Sequence, residues 1–338
     1  MQGVAHFGNA VKLLFFFLAL FLFSCQKHIS NVQPSDRWQI TDELILNGKM
    51  SEGGASTALL LADNSIAVWD NTRQQRIALW PSHQLLSNST ELYFSASGEY
   101  ILSANNASVQ VWQVGQRNAL GSLNLSRHLG DASVSAVAFW DAPHRLIIGT
   151  SGGAIIFADV QHNHYQINTS HTAEVRHITL TRDKLVMFSG GNDGQVIKWD
   201  LPNAKPVATQ SLPHRITSLA VGTPNQVFIS DALKDQVIWN SDRLQSSENL
   251  DYHERHKWFR DALFTSDNRW LITATPKSTM YMWNTQGMSL HAQWDIEAQG
   301  FGSTLADMTM TGTQTLRTLS SDGVIENWHL PVSAQSQP

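Results

Sequence analysis

The chain has 338 residues, enough for two ordinary domains or one large closed one, so length leaves the architecture open. Charged residues make up only 15%, with 23 Lys and Arg against 28 Asp and Glu and no basic run, so the counterion release that drives nucleic-acid binding has little to act through. DNA and RNA are therefore not expected partners, and one cysteine excludes a disulfide within the chain.

The first predicted element is apolar, Leu13 to Phe23, and Lys12 precedes it. Eleven helical residues reach about half of the roughly 30 Å hydrocarbon core, which fits the apolar region of an export signal and not a membrane span. Leu22-Phe23-Ser24-Cys25 follows directly, and Cys25 is the unique cysteine. This pattern resembles the lipobox of bacterial lipoproteins. The resemblance implies a signal peptide over 1–24, lipid on Cys25 with removal of what precedes it, and stable anchoring by two or three acyl chains. A plain cleaved signal is the alternative. Gln26 after the cysteine, by the same resemblance to enteric lipoproteins, favours the outer membrane facing the periplasm over the inner membrane. Residues 25–36, polar with one proline, read as a lipidated tether.

From residue 37 onward one pattern recurs: a strand, a turn, and a second strand ending on an aromatic residue. The aromatics are Trp69, Trp112, Phe157, Trp199, Trp239, Trp283 and Trp328, spaced 40 to 45 residues apart. Six residues before them stand Asp63, Asn106, Ser151, Asp193, Leu233, Lys277 and Asp322. Most are turn formers, and Asp-Gly or Asn-Gly suits a two-residue hairpin because it tolerates positive φ. Leu233 and Lys277 predict longer turns in the fifth and sixth units. An apolar strand precedes each hairpin (134–140, 175–180, 216–221, 259–264) and a more polar one follows, as at 118–125.

Four strands per unit, with Trp-Asp at 69–70 and 199–200, resembles the WD-repeat β-propeller. The expected fold is all-β: a seven-bladed β-propeller of four-stranded antiparallel blades over 37–330, with 331–338 a tail. The last unit lacks a good fourth strand, and 37–46 is a strand without a unit, so the N-terminal strand is expected to close the last blade.

The resemblance also gives His171, Ser189, Asp193 and Trp199 a role: a hydrogen-bonded structural chain within the fourth unit. A serine, histidine and aspartate could equally be parts of a hydrolase, but Phe188-Ser189-Gly190-Gly191 is not the strained G-x-S-x-G elbow of a nucleophile. His83, His128 and His256 fall near the matching place in their own units; Thr318, Asp322 and Trp328 lack such a histidine. His162 with His164, and His253 with His256, have no partner set that would complete a metal site. The stretch 248–264 mixes charge with aromatics, and Tyr252, Arg255 and Trp258 form the candidate interface, since Tyr, Trp and Arg dominate interface hot spots. Phe259 is expected in the core.

These observations lead to a non-enzymatic protein-binding scaffold of the bacterial envelope, monomeric, with envelope proteins or peptides as partners, the membrane reached through the lipid, and no cofactor or metal. The alternatives are a periplasmic propeller enzyme of the lactonase or hydrolase type and a propeller that binds a sugar or cell-wall fragment. A channel site would need inward carboxylates or histidines from several blades, and the readable inner strands offer Arg176, His177, Arg260 and Asp261, with no repeated acidic position.

Overall fold

The computed structural model describes residues 32–222, 226–240, 243–252, 258–297 and 302–332. Strands β1–β28, numbered in chain order, form seven four-stranded antiparallel sheets. Six sheets are consecutive in the chain: blade 1 spans 45–80, blade 2 91–124, blade 3 134–168, blade 4 175–211, blade 5 216–249 and blade 6 261–295. Blade 7 joins β26 (Leu305–Met310), β27 (Thr315–Ser320) and β28 (Val324–His329) to β1 (Pro34–Gln39). In that closure Arg37 pairs with Glu326 and Trp38 with Ile325. The fold is the seven-bladed propeller closed by its N-terminal strand.

Each sheet must bury both faces, and the ring does this by stacking blade on blade. Seven apolar clusters result, one at each junction between neighbours. The comb of aromatics fills these junctions: Trp112, Trp199, Trp239, Trp283 and Trp328 are each at most 1% exposed, which identifies the comb as core. Phe157 of blade 3 meets Trp199 of blade 4 edge-on at 5.6 Å, so one unit's aromatic packs on the next. Phe259 is fully buried between blades 5 and 6, as the sequence implies.

Several boundaries differ from the sequence reading. The closing strand opens at Pro34, inside the stretch read as tether, and Val32 before it is buried against the junction of blades 6 and 7. Proline is tolerated as the first residue of an edge strand, where no ladder N–H is required, and Ser35 Oγ fastens the strand by donating to the Asn327 carbonyl. The stretch 37–46 is two pieces, because Ile45 already begins the inner strand of blade 1. At the other end Pro331 and Val332, read as tail, pack on blade 6: Val332 joins the same cluster, and the Pro331 carbonyl lies 2.7 Å from His291 Nε2.

The turn of blade 4 is 192–194, where the sequence places it, with Gly194 at φ +75°. A Cβ there would lie 2.5 Å from the Leu212 carbonyl oxygen, so only glycine fits. In blade 5 the turn lengthens to 232–235, and Asp231 organises it by accepting the backbone N–H groups of Leu233, Lys234 and Asp235 at 2.8 to 2.9 Å.

Candidate functional site

Blade 4 consists of β14 (Val175–Leu180), β15 (Val186–Gly191), β16 (Gln195–Asp200) and β17 (Lys205–Ser211). Ser189 lies on β15, Trp199 on β16, Asp193 in the turn between them, and His171 in the loop leading into β14. The structure brings all four together. The Trp199 indole N–H donates to Ser189 Oγ at 2.9 Å, and Ser189 Oγ lies 2.8 Å from His171 Nε2. His171 Nδ1 lies 3.1 Å from Asp193 Oδ2, and that carboxylate also accepts the backbone N–H groups of Thr172 and Gln195. One assignment satisfies every group: the serine hydroxyl donates to Nε2, and Nδ1–H donates to the aspartate.

This is the connectivity of an acyl-transfer triad, serine to histidine to aspartate. Its surroundings are not. Ser189 is 0% exposed and His171 3%, and a lone pair of Oγ is taken by the indole. A nucleophile must reach its substrate, and none can enter here. Burial holds the imidazole below its ordinary value against the opposing pull of Asp193, so His171 is neutral. For Asp193, burial pushes upward, but the Thr172 and Gln195 N–H groups and His171 outweigh it and the carboxyl sits below its usual range.

Among the described residues no other histidine repeats the chain. His83 and His128 are exposed, and His128 packs on Tyr165 with ring centroids 4.7 Å apart. His162 pairs with Asp159 at 2.9 Å, and His164 is exposed on the outer strand of blade 3. Arg255, His253 and His256 lie outside the described residues, as does Cys25. Among the described residues no group of three His, Cys, Asp or Glu side chains could hold a metal ion. The indole-to-hydroxyl half of the chain does recur: Trp112 with Ser103 (3.3 Å), Trp283 with Thr273 (2.9 Å) and Trp328 with Thr318 (2.9 Å).

Blade 7 completes its chain differently. Thr318 Oγ1 donates to Glu326 Oε2 at 3.4 Å, while Glu326 Oε1 accepts the Glu297 N–H at 2.9 Å and lies 3.8 Å from Arg37 Nε. Burial pushes the Glu326 carboxyl up to about 7; the Glu297 N–H and Arg37 act against it. The sequence reading missed Glu326. Its signal was present, a carboxylate two residues before the comb aromatic, where the other units carry Ala67, Gln110, Ile155, Ile197, Val237 and Tyr281, none of them charged.

Tyr252 and Trp258 sit differently from a shared surface patch. The Tyr252 ring is built into the junction of blades 5 and 6, 5.1 Å from Phe259, 5.8 Å from Tyr281 and 5.6 Å from Trp283. Trp258 is half-buried beside Phe259.

The channel carries charge. Lys49 Nζ is 2.8 Å from Asp307 Oδ1, and Asp307 Oδ2 accepts the Met50 N–H. Burial would lower the ammonium, but Asp307 and Asp261 outweigh it and hold its proton more tightly than usual. Burial raises Asp261 to about 6 in spite of Lys49, and lowers His177 to about 4. Arg176 lies 3.3 Å from Glu174, and Arg260 donates to Thr304.

Comparison with known proteins agrees with this geometry. Residues 164–200 match the family described as WD domain, G-beta repeat. The match runs from the outer strand of blade 3 through β16, so sequence repeat and blade are offset by one strand. The chain is similar to WD repeat and FYVE domain-containing protein 2 of Caenorhabditis briggsae, 27% identical over 158 residues, or 45% of this chain. That alignment spans 36% of the relative's own length. Among solved structures it resembles a chain from the Crystal Structure of Mitotic Checkpoint Complex, with a TM-score of 0.72 and 18% identity over 91% of this chain and 95% of that one. Residues 164–200 match a WD repeat and lie in a seven-bladed β-propeller whose junction between blades 3 and 4 holds the matched tryptophan, Trp199.

Proposed function

We propose that the chain is a non-enzymatic platform for envelope proteins or peptides, held by lipid on Cys25 to the outer membrane of a bacterial envelope and facing the periplasm. One observation carries the binding reading: the Ser189, His171 and Asp193 chain is sealed inside blade 4, where it positions a loop and meets no substrate. WD propellers generally bind proteins, and the rigid ring offers broad faces for it. The lipobox-like Leu22-Phe23-Ser24-Cys25 supports the anchor.

Within 252–258 the proposed contact residues are Arg255 and Trp258, while the Tyr252 ring packs on Phe259, Tyr281 and Trp283. Crosslinked envelopes expressing the tagged protein, wild type or with Arg255→Ala and Trp258→Ala, test this. Loss of a captured envelope protein with unchanged melting supports the reading; equal capture overturns it. Mass analysis of the mature chain tests the anchor: added diacylglyceryl mass at the N-terminal Cys25, and a Cys25→Ser chain leaving the membrane fraction, are the expected results. An unmodified Cys25 removes the anchor from the proposal.

A further inference from the structure

Residues that follow the inner strands of blades 1 to 4 and 6, with Val221 and Gly222 of blade 5, line an open cavity of about 630 Å³ at one mouth of the channel, at the end opposite Trp258. That volume lies within the range of sites for small ligands. Tyr93, Phe139 and Phe264 line it, and hydroxyl-bearing loop residues such as Ser97 and Ser266 lie around them.

Charge decides what such a cavity can hold. Arg182 and Lys184 line it, but Arg182 is 2.9 Å from Glu52 across the mouth and Lys184 is 3.8 Å from Asp141. The cations are therefore matched, and an anion gains little by entering. Glu99 is the remaining carboxylate of the lining, exposed at the rim, too little to hold a polyamine.

What the wall lacks is a partner for a neutral polar group. Asn268 lines the cavity, is 7% exposed, and its amino group makes no hydrogen bond. Its side chain lies against Gly222, where an added Cβ would stand 2.8 Å from Asn268 Oδ1, so the amide is confined. The amino group is buried beside the cavity without an acceptor, and an unpaired buried donor costs about 1 to 3 kcal/mol until something accepts from it.

We propose that this mouth is a binding site for a short neutral saccharide of one or two rings. The C–H faces of a sugar ring pack on aromatic walls, its hydroxyls accept from Asn268 and exchange bonds with the loops, and it needs no net charge from the site. The site is independent of the protein-binding reading, and its failure leaves that reading intact.

Titration of the whole propeller with cellobiose, maltose and N,N′-diacetylchitobiose, followed by saturation-transfer NMR and calorimetry, tests it. Binding of at least one is expected, weakened about tenfold or more by Asn268→Asp, which keeps the acceptor and removes the donor. Ala96→Trp, an exposed lining position with no side-chain hydrogen bond to lose, is expected to block the cavity while leaving melting unchanged. Inorganic phosphate, spermidine and a capped tripeptide serve as controls. The proposal is overturned if none of the three sugars binds, if a control competes for the site more strongly than the sugars, or if Ala96→Trp binds as the wild type does.

Discussion

Blades 4 and 7 solve one problem with different parts. Each buries a tryptophan whose indole N–H donates to a hydroxyl on the neighbouring strand, Ser189 or Thr318, at 2.9 Å. In blade 4 that hydroxyl meets a neutral imidazole and the chain ends on Asp193, inside the same repeat. In blade 7 it meets Glu326, and the chain runs out to Glu297 in the preceding loop and to Arg37 on the closing strand. The first ties a blade to its own loop; the second ties the two ends of the ring together. Their protons also respond oppositely. His171 and Asp193 both sit below their ordinary values, so the stability they contribute is lost as pH falls. Glu326 sits above its ordinary value, so its carboxyl costs nothing in acid and the cost grows as pH rises from about 4.5 to about 7.

The largest expected effect comes from removing the closing strand. Deletion of residues 34–39 strips blade 7 of its outer strand, including Arg37 and Trp38, and leaves the edge of β28 unpaired. A loss of about 4 kcal/mol or more is expected, with melting lowered by roughly 10 °C. A melting temperature within about 2 °C of wild type would show that the ring is held without its last strand. Next comes Asp193→Ala, which leaves the N–H groups of Thr172, Gln195 and His171 Nδ1 without their acceptor. A cost of about 2 to 4 kcal/mol in chemical denaturation is expected, with partner capture unchanged at temperatures well below melting. Capture lost while stability holds would make the chain a functional site.

Glu326→Gln sharpens the contrast through pH. The side chain is 1% exposed and its carboxyl is raised from 4.5 to about 7, which places the lost stability between those pH values at on the order of 3 kcal/mol. Wild type measured against the variant should lose that much as pH rises from 4.5 to 7 and change little above it. Asp261 and His177 also titrate in this range, in opposite senses, but both proteins carry them and the difference removes them. A difference that is flat with pH would mean that Glu326 is ionised without penalty, and that blade 7 differs from blade 4 in parts only.

The sequence was most legible where chemistry repeats. The aromatic comb and its turns led to the blade count, and inner strands 175–180 and 216–221 stand where the pattern placed them, because junction packing demands the same apolar residues every turn of the ring. The blade 4 chain was legible for the same reason, four residue types at fixed offsets. What stayed hidden depends on neighbours distant in sequence. Pro34 looked like tether because an edge strand needs only one partner, and that partner is 294 residues away at Trp328. Tyr252 looked like surface because its loop is charged, yet its ring reaches three aromatics across a blade junction. Glu326 puts a carboxylate in a column otherwise free of charge, and Thr318, Arg37 and the Glu297 N–H explain why it can stand there.

The smallest effect concerns the hydroxyl itself. Ser189→Ala and Thr318→Val each remove the link between indole and acceptor and leave the indole N–H unpaired, for about 1 to 2 kcal/mol. The two should not be equal. Ser189 lies 2.8 Å from His171 Nε2, whereas Thr318 lies 3.4 Å from Glu326 Oε2, and that carboxylate keeps the Glu297 N–H in either case. The valine also preserves the shape of threonine, while alanine leaves a small void beside an imidazole that burial keeps neutral. Ser189→Ala should therefore cost more, by a few tenths of a kcal/mol to about 1, in parallel denaturation at pH 7. Equal costs, or the reverse order, would mean that the hydroxyl in blade 7 is bound as firmly as in blade 4, and that the closing blade gains as much from its borrowed strand as a self-contained blade gains from its own loop.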